Sequence, residues 1–95
     1  MSAQEGAVAG ERNWGQFVAR ADFDKLAPLA QALFLQDAMS QLGMTRKEQF
    51  AQRIGVSKKC LNKWMARHGT SEFRNMPSMA WKFIGEILAH TAAQS

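Results

Sequence analysis

Two short helices joined by a tight turn are predicted between Thr45 and Arg67, and this feature constrains the fold more than any other in the chain. Gly55 is expected to end the first helix, because glycine tolerates the left-handed backbone found after a helix terminus. Ser57 can cap a second helix, expected over Lys58 to Arg67. The connection is so short that the second helix must cross the first.

The first helix is expected to start at Arg46 through a capping box. The hydroxyl of Thr45 can accept from the backbone amide of Glu48, whose carboxylate can return to the amide of Thr45. Apolar residues then follow at helical spacing in both helices, which predicts that the two apolar faces pack together. These residues are Phe50, Ala51, Ile54, Leu61, Trp64 and Met65.

The other side of the second helix is predicted to be exposed and nearly all cationic. It carries Lys58, Lys59, Asn62, Lys63 and Arg67. Residues 44–67 hold seven basic side chains and one acidic side chain. Residues 1–43 hold three basic and five acidic side chains, and residues 68–95 hold two basic and two acidic side chains. The net charge of +4 is therefore concentrated as positive potential on the helix pair, as in a nucleic-acid-binding protein.

The run F-A-x-x-I-G-V-S-x-x-x-L-x-x-W at residues 50–64 resembles the helix-turn-helix of bacterial, phage and plasmid repressors of the Cro and lambda-repressor type. The later EFRNMP followed by an aromatic helix resembles small plasmid-borne repressors of the KorC type. This resemblance implies a dimeric transcriptional repressor. It also implies DNA contacts at Ser57, Lys58, Lys59, Asn62 and Lys63. Lysines stand where many relatives carry glutamine, which bears on base preference and not on the fold.

Roles on this surface follow from side-chain chemistry. The amide of Asn62 can bond N6 and N7 of an adenine, and the lysines can reach guanine acceptors or phosphates. The starts of helices favour a phosphate, and the first helix can contact the DNA backbone. These further candidates are Thr45, Arg46, Lys47, Gln49 and Arg53. The expected ligand is a double-stranded operator with inverted-repeat symmetry, occupied by a homodimer.

The remaining chain predicts an all-α, compact bundle of about five helices. Residues 1–12 form a predicted flexible tail, and residues 13–95 form a single helical DNA-binding domain. Asn13 can cap a short helix that carries Trp14, Phe17 and Val18. A longer helix is expected over residues 24–42, largely buried, with Pro28 in its first turn and Gly43 as its stop.

The last helix, expected over residues 77–92, carries more apolar surface than one face normally buries. One stripe consists of Met79, Phe83 and Ile87, and the other of Trp81, Ile84 and Leu88. We expect the second stripe to form a two-fold dimer interface. The alternative is that residues 14–18 cover both stripes within one chain.

Other function classes find little support in the sequence. Cys60 is the single cysteine, and neither His68 nor His90 has partners at metal-ligand or catalytic spacing, so no enzyme, metal or cofactor is expected. No apolar run is long enough for a membrane span and the first residues lack a signal-peptide pattern, which predicts a cytoplasmic, nucleoid-associated bacterial protein. The main alternative function is a protein-interaction module, such as an antitoxin or adaptor that uses an exposed aromatic C-terminal helix. A second regulator protein is a further possible partner.

Overall fold

Five helices make up the part of the chain that the structure, a computed structural model, describes, namely residues 14–94 with side chains up to Thr91. They are α1 (Trp14–Val18), α2 (Phe23–Gln41), α3 (Lys47–Ile54), α4 (Lys58–Trp64) and α5 (Ser78–Gln94). No strand occurs in this range, so the predicted all-α fold class is confirmed. The predicted tail at residues 1–12 and the Asn13 cap lie outside the described residues.

Helix α2 supplies the centre of the core with one of its faces. Phe34, Leu35 and Ala38 are fully buried, because this face meets both α1 and α5. On the outer face, however, Leu29 is 66% exposed and Leu33 is 43% exposed. The expectation that α2 is largely buried is therefore wrong for this outer stripe, which no other described element covers.

The ends of α2 differ from the prediction by one residue each. The helix starts at Phe23, so Pro28 lies in the second turn and not in the first. Since proline has no N–H, the carbonyl of Asp24 lacks the helical hydrogen bond that it would otherwise accept. The predicted stop is confirmed: Gly43 follows the helix with a φ of 70°, which glycine adopts without strain.

Aromatic stacking joins α1, α2 and α5. The ring of Trp81 in α5 stacks on Phe34 at a centroid distance of 4.3 Å and an interplanar angle of 17°. Trp14 in α1 contacts Phe34 edge-on at 4.9 Å, and its Nε1–H donates to Oδ2 of Asp37 at 2.7 Å. Helix α1 thus lies against both longer helices and covers the junction between them.

This packing corrects the predicted dimer interface. Trp81, Ile84 and Leu88 are 1%, 0% and 7% exposed, so their assignment to a surface between subunits is wrong. They belong to the core of the single chain, since α1 and α2 cover that side of α5. The other stripe of α5 is only partly covered, because Met79 remains 80% exposed and Phe83 remains 45% exposed.

A buried glutamine in α2 holds the end of α4 and the loop that follows it. Gln31 is 1% exposed. Its Nε2 donates to the carbonyl oxygens of Trp64 and Arg74, each at 2.8 Å, and its Oε1 accepts from the backbone N–H of Met76 at 2.7 Å. One side chain therefore satisfies three backbone groups from two other segments, and the loop between α4 and α5 is fixed against the bundle.

Replacement of Gln31 should destabilise the fold strongly. Gln31→Leu fills the same space but leaves two carbonyls and one amide without partners, at about 1–3 kcal/mol for each buried group. We expect the free energy of unfolding, measured by urea denaturation, to fall by about 3 kcal/mol or more. The exposed Gln36 in the same helix offers a control. Gln36→Leu should change the free energy of unfolding by no more than about 0.5 kcal/mol. Equal effects of the two substitutions would contradict the role given to Gln31.

Candidate nucleic-acid interface

Helices α3 and α4 pack against each other across a short glycine turn. Phe50 and Ala51 of α3 and Leu61 of α4 are 0%, 3% and 0% exposed, and all belong to the same core cluster. Gly55 has a φ of 82°, and the N–H of Val56 after it donates to the carbonyl of Ala51 at 3.0 Å. The predicted left-handed end of the first helix is confirmed.

The cap of α4 is confirmed, but the cap of α3 is not. The hydroxyl of Ser57 accepts from the backbone N–H of Cys60 at 3.0 Å, as an N-cap should. Helix α3, in contrast, starts at Lys47 with Arg46 in the N-cap position and has no side-chain cap bond. The predicted capping box is wrong: the helix begins one residue later than the expected Arg46, so Thr45 is not its N-cap, and the carboxylate of Glu48 bonds a different partner.

That partner is the first lysine of α4. Nζ of Lys58 donates to Oε2 of Glu48 at 3.0 Å, and Nε of Arg46 lies 4.0 Å from the other carboxylate oxygen. The hydrogen bond from Lys58 is the main reason why the pKa of Glu48 lies below its ordinary value. The single carboxylate of residues 44–67 is thus held beside the cationic surface, where it forms an ion pair with one of the lysines.

The candidate contact residues nearly all lie on the surface. Lys63 is half-buried, and the other ten are exposed, namely Thr45, Arg46, Lys47, Gln49, Arg53, Ser57, Lys58, Lys59, Asn62 and Arg67. Helix α4 ends at Trp64 and is shorter than predicted, so Arg67 lies beyond its end. We call Lys58, Lys59, Asn62 and Lys63 the cationic face of α4.

One basic residue near this face was not found by sequence reasoning. The backbone N–H of Arg74 donates to the carbonyl of Lys63 at 3.2 Å, so the loop after α4 returns to the side of that helix. Nothing in the local sequence signals this contact, since it depends on Gln31, which lies 43 residues earlier. The loop adds a third cation beside Lys59 and Lys63, with which Arg74 lines a common surface depression.

Other kinds of site find no support among residues 14–94. No group of three or more His, Cys, Asp or Glu side chains lies close enough to hold a metal ion. The ring of His68 packs edge-on against Phe73 at 5.2 Å, and Cys60 is a half-buried free thiol. No helix within this range is long and apolar enough to cross a membrane.

Comparisons with models of protein families, with curated proteins and with solved structures return no match to this chain.

The Glu48 to Lys58 contact predicts a particular titration behaviour. Because the folded-state pKa of Glu48 is lowered, the contribution of the pair to stability is present at neutral pH and is lost as the pH falls through that lowered pKa. In an NMR titration of the carboxyl group, Lys58→Met should raise the midpoint towards the ordinary value, whereas Lys59→Met should leave it unchanged. A midpoint unmoved by Lys58→Met would show that the contact does not persist in solution.

Proposed function

We propose that the protein is a transcriptional repressor that binds double-stranded DNA sequence-specifically, with α4 in the major groove. The observation that carries this proposal is the division of α4 into two sides. Leu61 and Trp64 are buried against the rest of the bundle, while Lys58, Lys59 and Asn62 are exposed. A major groove admits one helix, and side chains of this kind can reach both phosphates and base edges there.

The residues of the cationic face would have different roles in binding DNA. Asn62 is the best candidate for direct base readout, because its Oδ1 can accept from N6–H of an adenine while its Nδ2 donates to N7 in a bidentate pair. Lys59 and Lys63 are suited to guanine acceptors or phosphates, with less angular selectivity than arginine has. Lys58 would act after release from Glu48, or together with it as a bridge that fixes α3 relative to α4.

A homodimer is part of the proposal for an energetic reason. The free energy of specific DNA binding must exceed that of non-specific binding by about 4–10 kcal/mol. One copy of so small a helix pair makes few base contacts. Two copies related by a two-fold axis would place two α4 helices in successive major grooves about 34 Å apart. The operator would then be an inverted repeat whose half-site centres lie roughly ten base pairs apart.

The exposed face of α5 is the surface we propose for the contact between the two copies. Met79 and Phe83 are large apolar side chains exposed to solvent, and the exposed Lys82 and Glu86 lie beside them. Two antiparallel copies of α5 would bring Lys82 of one copy near Glu86 of the other twice, as an isologous contact requires. This surface takes the place of the interface expected at Trp81, Ile84 and Leu88, which are buried within the chain.

Selection of bound DNA from a random duplex pool tests the function directly. The proposal predicts enrichment of an inverted repeat with half-sites about ten base pairs apart. Enrichment of a single half-site would keep DNA reading and reject the symmetric dimer. Failure to retain any duplex at low ionic strength would overturn the proposed function.

The same selection can assign the role of Asn62. Asn62→Ala should cost about 1–3 kcal/mol at one base position per half-site and relax the preference there, because the bidentate amide is lost. Gln36→Ala removes an exposed amide from α2, outside the helix pair, and should leave the selected sequence unchanged. If the Asn62→Ala profile equals that of the parent protein, Asn62 does not read a base.

Substitution of Phe83 tests the proposed subunit contact. Phe83→Glu places a charge in the centre of the α5 surface, so sedimentation equilibrium should show a shift from dimer to monomer, and affinity for the inverted repeat should fall towards that for a half-site. Leu29→Glu is the matched control, since Leu29 is also exposed but lies on α2. A dimer that survives Phe83→Glu and dissociates with Leu29→Glu would move the interface to α2.

A protein-interaction module is the second candidate function, and the exposed apolar side chains Met79, Phe83, Leu29 and Leu33 favour it. In that case, the α5 surface would hold a different protein, as in an antitoxin or adaptor. The two candidates differ in one measurement, since an interaction module would bind its partner tightly and show little affinity for duplex DNA at physiological salt.

A further inference from the structure

A surface depression lies beside α4, on the side that faces the loop to α5. Its volume is about 270 Å³, and it is open to solvent. Six residues line it, namely Ser57, Lys59, Cys60, Lys63, Trp64 and Arg74. Three of these six are cations, and none is a carboxylate. We call this depression the basic notch.

Arg74 is held at the notch by hydrogen bonds from several directions. Its backbone N–H donates to the carbonyl of Lys63 at 3.2 Å, and its carbonyl accepts from the buried Gln31 at 2.8 Å. In its side chain, Nη1 donates to the carbonyls of Ser71 and Phe73, both at 2.8 Å. The guanidinium is therefore anchored to the loop before any ligand arrives.

The anchored guanidinium keeps two donor nitrogens, Nε and Nη2, for a ligand. Within the described part of the chain, neither Nε nor Nη2 of Arg74 donates a hydrogen bond, and Arg74 forms no ion pair. Within the same residues, Lys59 and Lys63 also form no ion pair, and Glu48, the one carboxylate of residues 44–67, bonds Lys58. Three cations thus line one depression without an opposite charge to neutralise them.

We propose that the basic notch binds one backbone phosphate of the duplex that α4 reads, with Arg74 as its main ligand. This inference rests on the proposed function and adds to it a residue from outside the helix pair. A planar guanidinium suits phosphate oxygens, and two lysines at its side add to the attraction. A phosphate held at the flank of α4 would fix the register of the helix in the groove, which is the usual task of backbone contacts.

The salt dependence of binding is the primary test. Arg74→Gln should weaken binding of the selected duplex and of unrelated duplexes alike, and should reduce the slope of log affinity against log salt by about one per subunit. Arg74→Lys keeps the charge and should restore most of the slope. Lys25→Gln removes one positive charge from the exposed side of α2 and is the control for general charge loss, with the slope unchanged. Thermal unfolding of each variant checks that the loop remains folded.

Cys60 provides a second readout at the notch itself. Its half-buried thiol lines the depression, so alkylation by neutral iodoacetamide, followed by mass spectrometry, reports occupancy. Bound duplex should slow alkylation several-fold in the parent protein and less in Arg74→Gln.

The outcomes separate this inference from the function on which it rests. If the parent protein binds no duplex, both are overturned. If it binds duplex while Arg74→Gln has the parental salt slope and bound duplex leaves Cys60 equally reactive, the notch alone is rejected. Protection of Cys60 by inorganic phosphate at physiological ionic strength, without protection by duplex, would assign the notch to a free phosphate ligand and also overturn the inference.

Discussion

The side-chain amide of Gln31 is the interaction on which the arrangement of the cationic surface depends. It is buried in the middle of α2, and it joins the carbonyls of Trp64 and Arg74 and the amide of Met76. A buried polar group is costly unless it is fully bonded, and here the bonds to Trp64 and Met76 are themselves buried while the bond to Arg74 is partly buried. The end of α4 and the return of the following loop are therefore set by the same residue of the core.

This arrangement explains how a small chain can present one side of α4 and still hold that helix firmly. Helix α4 is only seven residues long, and most of the stability of so short a helix must come from tertiary packing. Leu61 and Trp64 supply that packing, and the Ser57 cap and the Gly55 turn define where the helix begins. Lys58 and Lys59 can then remain exposed to solvent, because the packing of α4 depends on its apolar side.

The sequence predicted those features that depend on local chemistry. The Gly55 turn, the Ser57 cap and the buried pair Leu61 and Trp64 follow from residue type and helical spacing, and the structure bears them out. The predicted exposure is confirmed for Lys58 and Lys59, whereas Lys63 is half-buried. The errors arose where distant residues compete. The local pattern places Glu48 in a cap at Thr45, but Glu48 bonds Lys58. Periodicity places Trp81, Ile84 and Leu88 against a partner, but α1 and α2 cover them. Periodicity shows that a stripe is apolar without showing which element covers it, and no local pattern announces that Gln31 brings Arg74 to α4.

We propose that the cationic face of α4, together with Arg74, is the surface that meets DNA. Backbone amide NMR shifts of the labelled protein, recorded on addition of the duplex selected from the random pool, would locate the bound surface residue by residue. We expect the largest shifts on residues 57–67 and on Arg74, while residues 23–35 of α2 change little. Shifts confined to Met79, Phe83 and the rest of α5, with α4 unchanged, would contradict it.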